Sequence, residues 1–367
     1  MRLCLLIAVA FVCAIGAVPS GAQATPLPDP RGVDPASPNP LAGQRLFVDP
    51  SHPAWRQVRT DINRHRAHAA STVWRIAREP KFQWFGRWTR GVGEAARTYI
   101  GRAQSAGSVP LITVMRHQGK KCGNGYDGGG ARQDARTRRW YEAFAQGVGS
   151  ARVVIAFEPD SLGTIDCLKR SRRAARLGLL AYGVDVLSRL PRATVYLEGG
   201  ASDWEPASRS ARLLRIIGIS KVRGFMLNVT HYDWTADNIR YGMKISRLTG
   251  GKHFIVSTAF NGRGPVHYRK YSGPHRWRGV NVWCHPLKRG LGPRPTTVTG
   301  NPQVDAFMWI GRPDYSGGSC NGGPMPVGSW WPKRARMFGK YATDWLRPPA
   351  GTRFGLFRHY SLKQLGA

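Results

Sequence analysis

Val154-Ile155-Ala156-Phe157-Glu158-Pro159-Asp160-Ser161-Leu162 is an unbroken apolar run that stops abruptly at Glu-Pro-Asp. A short run without polar alternation suits a strand buried on both faces, as in a parallel sheet covered by helices. Pro159 cannot continue the ladder, so the strand ends there. Two carboxylates then stand at its C-terminal end, the rim where parallel barrels place their active sites.

Working outward, similar apolar runs occupy Val73–Ile76, Leu111–Met115, Val153–Phe157, Thr194–Leu197, Gly224–Val229, Phe254–Thr258 and Val304–Ile310. Amphipathic stretches at Thr137–Gly147, Ser171–Leu190, Ala207–Ile217 and Ala236–Leu248 separate them. Strand-helix alternation of this kind predicts an α/β fold, a distorted parallel (β/α) barrel of about seven strands in a single domain. Polar and aromatic residues cluster after the strands: Glu198 through Trp204, then Asn228 and His231 through Trp234. Trp84, Trp204 and Trp283 lie beside polar rim residues, where a flat ring can stack on a sugar face, whereas Trp309 inside a strand reads as core.

The N-terminus reads as an export signal over residues 1–24: Arg2, an apolar run from Leu3 to Val18, then Ala22-Gln23-Ala24. A Pro-rich flexible leader over residues 25–38 follows, and the barrel domain spans 39–367. The mature chain is expected outside the cell, as a monomer and free of the membrane. Of the 6 cysteines, Cys4 and Cys13 leave with the signal. Cys122, Cys167, Cys284 and Cys320 remain and are free to oxidise there, and spacing alone leaves their pairing open. None has C-x-x-C spacing, and neither a metal nor another cofactor is expected. The formal charge of +34, mostly arginine and spread along the chain, predicts non-specific binding to polyanions. No module for specific nucleic-acid recognition accompanies it.

The Phe157-Glu158-Pro159-Asp160-Ser161-Leu162 signature resembles glycoside hydrolase family 6, the family of β-1,4-glucan endoglucanases and cellobiohydrolases. Further segments match it in order. They are Asn39-Pro40-Leu41-Ala42-Gly43 with Leu46 to Pro50, Tyr196-Leu197-Glu198 through Trp204, Arg223 to Val229, Asn261 to Gly264, Trp283 to Pro286 and Val304 to Ile310. The resemblance implies inverting hydrolysis, with Asp160 as proton donor and a second carboxylate roughly 6.5–9.5 Å away to activate water. It implies substrate binding by Trp84, Glu198, Trp204, Asn228 and Trp283. It also implies disulfides Cys122–Cys167 and Cys284–Cys320, each adding roughly 3–4 kcal/mol on a chain-entropy estimate.

Several positions depart from the family pattern. Lys121 stands where an Asp supports the acid, and a cation there opposes a protonated Asp160. Asp127, further along that loop, is the candidate replacement. Gly317 stands where the family has its base Asp, Tyr315 replaces a Glu, Gly311 replaces a sugar-binding Lys and Ala201 replaces a His. Asp314 is the nearest carboxylate left in that loop and the candidate substitute base. Three readings follow: a glucanase with rearranged carboxylates drawn from Asp127, Glu198, Asp203 and Asp314; a hydrolase of an acidic glycan, suggested by Lys121 and Arg312; or a glycan-binding protein that no longer cuts.

Overall fold

A computed structural model describes residues 38–117, 130–266, 276–277, 280–281 and 284–350. Residues 1–24, read as an export signal, and nearly all of the expected leader lie outside the described residues, as do Lys121, Cys122, Asp127 and Trp283.

Seven strands form one sheet in the order β1 (Gln83–Gly86), β2 (Leu111–Met115), β3 (Val153–Phe157), β4 (Ala193–Glu198), β5 (Gly224–Leu227), β6 (His253–Ser257) and β9 (Val304–Met308). Every neighbouring pair is parallel. A two-stranded antiparallel ribbon, β7 (Arg276–Trp277) with β8 (Val280–Asn281), lies in the long connection between β6 and β9. Helices α3 (Val92–Ser105), α4 (Ala131–Val148), α5 (Arg170–Ser188), α6 (Ala207–Ile217) and α7 (Thr235–Leu248) follow the first five strands in turn. Helices α1 (Pro53–Asn63) and α2 (Ala67–Ala77) precede the sheet, and α8 (Pro332–Lys340) follows it and packs on α2. No helix among the described residues is long and apolar enough to cross a membrane.

The period-2 alternation of strand side chains sorts the apolar residues into two cores. Val153, Ile155, Phe157, Val195, Leu197, Phe225 and Phe254 face outward against the helices. Val154, Ala156, Tyr196, Met226, Ile255, Ala306 and Met308 fill the inside of the curl. Each fully buried large apolar side chain contributes roughly 1.5–3 kcal/mol, so both faces hold the sheet. The edges β1 and β9 do not pair. Trp84 Nε1 crosses between them to the carbonyl of Ile310 at 2.9 Å, and Asn39 Nδ2 reaches the carbonyl of Asp305 at 2.6 Å.

One expected strand is corrected. Val73–Ile76 is part of helix α2, and the first strand is β1, ten residues later in the chain. Ala70, Val73, Ile76 and Ala77 are buried at helical spacing while Trp74 and Arg75 are exposed. The short β-branched run is one face of a helix that packs with α1 and α8 against Phe260, Leu291 and Trp309.

The N-terminal mouth is closed by polar groups. Asp305 of β9 accepts from Arg223 Nε at 2.9 Å, Arg223 Nη2 at 2.8 Å and the Tyr196 hydroxyl at 2.6 Å, with His253 Nδ1 at 3.3 Å. Burial works against the Asp305 charge, but the Arg223 hydrogen bonds win and hold its carboxyl below the usual range. Its contribution is therefore present above the ordinary carboxylate pKa and is lost as acid protonates it in the fold. Asp305→Ala strands Arg223 in the interior, and such a loss typically costs about 3–5 kcal/mol. The expected outcome is a markedly lower denaturant midpoint, with much of it recovered when Arg223 is also replaced by Met. An unchanged midpoint in the single variant would refute the assignment.

Candidate active site

The β3 exit is built from two residues with left-handed backbone, Glu158 at φ 55° and Asp160 at φ 67°. Such conformations cost of order 1 kcal/mol or more without glycine, and surrounding structure must enforce them. Glu158 provides that enforcement. Its buried carboxylate accepts from the main-chain N–H of Arg116 at 2.8 Å and of His117 at 2.9 Å, and from the Tyr141 hydroxyl at 2.7 Å. It thus clamps the β2 exit and α4 to the β3 exit, and its oxygens are spent on structure. Burial raises its pKa against those three hydrogen bonds.

Asp160 is half-buried, unlike its neighbours Glu158 and Glu198. Its main-chain N–H donates to Glu198 Oε2 at 2.6 Å, and Gly200 N–H donates to Glu198 Oε1 at 2.5 Å. Glu198, at the end of β4, therefore lies under the Asp160 loop and fixes it. The Asp160 carboxyl accepts from Thr230 Oγ1, in the loop after β5, at 2.6 Å. Burial lifts Asp160 above the usual carboxylate range, against the Thr230 hydrogen bond and the His231 charge. Burial and then the charge of Asp160 push Glu198 up to about 8.

On the same rim, His231 Nδ1 pairs with Asp203 Oδ1 at 2.8 Å, and its ring stacks on Trp204 at 4.8 Å between centroids. Burial disfavours a charged His231, but Asp203 outweighs it and the pKa is raised. Gly163 permits the Trp204 position, since a Cβ there would come within 2.4 Å of its ring. Asn228, at φ 64°, spends its side-chain N–H groups on the carbonyls of Asp233 and Ser257, both at 3.1 Å. Its Oδ1 is buried without a partner.

The loop after β9 is different. Gly317 N–H donates to His285 Nε2 at 2.7 Å, and His285 Nδ1 faces the Cys320 carbonyl at 3.0 Å. These contacts fix a neutral His285, whose pKa burial and Arg334 lower to about 4. The Cys284–Cys320 disulfide ties this loop down. Cys284, His285 and Cys320 form a compact group, but the bond between the sulfurs removes both thiolates as metal ligands. Cys167 is also disulfide-bonded.

Asp314 is 1% exposed, with His52 Nε2 at 3.5 Å and neither carboxylate oxygen hydrogen-bonded. Burial raises its pKa against the Lys81 charge. It lies beneath the loop in surroundings that it does not share with Asp160. Trp84 is 8% exposed, and the Arg312 guanidinium lies over its ring at 5.0 Å. The structure thus brings Asp160, Glu198, Asp203 and Trp204 together and leaves Asp314 in the interior. Thr230 and the His231–Asp203 pair escaped the sequence reading as partners of Asp160. Thr230 is 70 residues from Asp160, and no local pattern marks such a contact.

The family model for the Glycosyl hydrolases family 6 matches residues 41–342. The chain belongs to glycoside hydrolase family 6. This family 6 chain is 33% identical over 297 residues to Endoglucanase A of Cellulomonas fimi, covering 80% of its own length and 60% of the relative's. It is 34% identical over 266 residues to Endoglucanase 1 of a Streptomyces species, covering 71% and 69%. Among solved structures it resembles the endoglucanase Cel6 from Mycobacterium tuberculosis, in complex with a methyl-cellobiosyl thio-cellobioside. That likeness has a TM-score of 0.73 and 35% identity over 83% of this chain and 99% of the other. The curled parallel sheet is the fold these relatives share.

Proposed function

We propose that this family 6 chain is an exported glucanase that cleaves β-1,4-glucan such as cellulose with inversion, using Asp160 as general acid. The observation that carries the reading is the half-buried Asp160 carboxyl at the strand rim, backed by Glu198 and aimed by Thr230. A general acid has to hold its proton near the working pH, and burial raises the Asp160 pKa in that direction. Trp204, stacked with His231 and partly exposed, offers a ring at the same rim for a sugar face. The relatives named endoglucanases support the substrate class, and the complex with a thio-linked cellobioside supports the linkage. Lys121 and Asp127, named for their effect on the acid, lie outside the described residues.

The base is the weak element of this machinery. With glycine at 317 and Asp314 buried, water activation falls to a carboxylate acting through intervening water, and turnover is slow. The same observation favours a second reading, glycan binding without cleavage. Incubating the purified chain with a soluble β-1,4-glucan separates them. The expected result is new reducing ends that appear first as the α-anomer by NMR. First appearance of the β-anomer would overturn inversion. Retardation on a glucan gel with no product would establish the second reading.

Glu198→Gln gives a sharper test of the acid. The amide keeps an acceptor for the Asp160 N–H but removes the carboxyl that burial and the Asp160 charge raise to about 8. Burial is what raises Asp160, so an alkaline limb of kcat/KM that reports Asp160 is expected to stay in place. A limb that moves or vanishes would show that Glu198 carries the proton lost there.

A further inference from the structure

Arg312 follows β9 and stands over two rings, Trp84 at 5.0 Å and Tyr315 at 5.1 Å from their centroids. Both distances lie within cation–π range, so the guanidinium is held by aromatic faces. It makes no hydrogen bond and no ion pair among the described residues. An arginine has five N–H donors in a fixed fork that matches a carboxylate. Here that fork is half-buried and unspent. Asp314, whose charge Arg312 feels without an ion pair, faces His52 and is answered first by the Lys81 charge.

The placement also changes what Trp84 can do. Its ring is nearly covered, and its Nε1 is committed to the Ile310 carbonyl. A neutral sugar cannot stack on a face that a cation already occupies. β9 and β3 are parallel members of one sheet, so Arg312 and Asp160 leave it at the same rim. The seam between β1 and β9 therefore presents a cation at the rim that carries Asp160.

We propose that Arg312, mounted on Trp84 and Tyr315, is a specificity residue forming a subsite for a β-1,4-linked sugar with a C6 carboxylate, a glucuronosyl unit within or at the end of a glucan chain. The inference rests on the glucanase reading of the groove. A C6 carboxylate offers two oxygens and a charge to the fork, whereas the hydroxymethyl of glucose offers one neutral oxygen. Hydrogen bonds to charged partners in partly desolvated sites are the stronger kind, and a preference of at least about tenfold is expected.

The test uses the full chain carrying Asp160→Asn, so that ligand is not consumed. Calorimetry compares cellotetraose with the same oligosaccharide oxidised at C6. The carboxylated ligand is expected to bind about tenfold more tightly or better, and adding Arg312→Gln should remove the difference. Arg312→Lys, which keeps the charge without the fork, should retain only part of it. Equal binding of the two ligands would overturn this inference and leave the glucan groove standing. Binding of neither would overturn the glucan groove and this inference with it. A preference that survives in the Gln variant, or is undiminished in the Lys variant, would place the effect in the general positive charge and overturn the role of Arg312.

Discussion

Asp160→Asn is expected to lower kcat/KM on a soluble β-1,4-glucan by about 10²–10⁴-fold while leaving glucan binding in place. The asparagine side chain has the same shape and can still accept from Thr230 Oγ1. The Asp160 main-chain N–H that meets Glu198 is untouched, so the strained turn keeps its brace. What disappears is the transferable proton. The loss should therefore fall on kcat, with KM nearly unchanged, because the proposed stacking of a sugar on Trp204 does not depend on it. Leaving groups that depart without protonation, such as activated aryl glycosides, should be affected far less than cello-oligosaccharides. A variant that hydrolyses glucan at the parent rate would remove Asp160 from the mechanism. A variant that no longer binds glucan would show that the carboxyl holds substrate. Neither result fits a residue whose task is to lend a proton.

The parts of this fold that were legible are those in which one local pattern has one physical solution. The apolar runs at β2 and β3 are too short for helices and too uniform for one-sided strands, and they sit where expected. Ala207–Ile217 forms a helix with the expected bounds, because its apolar residues repeat at helical spacing and Gly218 at φ 94° ends it. Val73–Ile76 was misread because four residues cannot distinguish period 2 from period 3.6. Its true partners, Phe260, Leu291 and Phe338, are supplied by distant parts of the chain.

The site divides in the same way. The Glu-Pro-Asp exit was visible as chemistry at a strand end, but the division of labour inside it was not. Glu158 proves to be a clamp because three donors converge on it from β2 and α4, and Asp160 remains the partly exposed carboxyl. The aromatic rim was readable as rings and unreadable as surfaces. Nothing within the strand around Trp84 announces that Arg312, more than two hundred residues later, covers its face. Side chains that meet only through closure of the sheet leave no spacing to read.

Gly317→Asp should raise the hydrolytic rate, by as much as about 10²-fold, if the missing base is what limits turnover. The backbone permits the change, since Gly317 is not among the residues with positive φ. A Cβ built there meets His285 Nε2 at 3.2 Å and Cε1 at 3.8 Å and nothing nearer, so the imidazole edge has to give by only a few tenths of an ångström. The residue is exposed, which suits a carboxylate that must stay ionised, in contrast to Asp314 buried beneath the same loop. The disulfide at Cys320 and the Ser316 Oγ contact to the Gly318 carbonyl, at 3.1 Å, hold the loop on either side. The gain should appear in kcat and should bring an acid limb to the pH profile, reporting ionisation of the new carboxylate. It should vanish when Asp160→Asn is added, because a base without an acid has no leaving group to expel. If Gly317→Asp leaves the rate unchanged while the parent is active, another group already activates the water. If neither protein turns over, but both bind glucan, then the loss of the base is accompanied by a loss at the acid. The groove would then serve recognition alone.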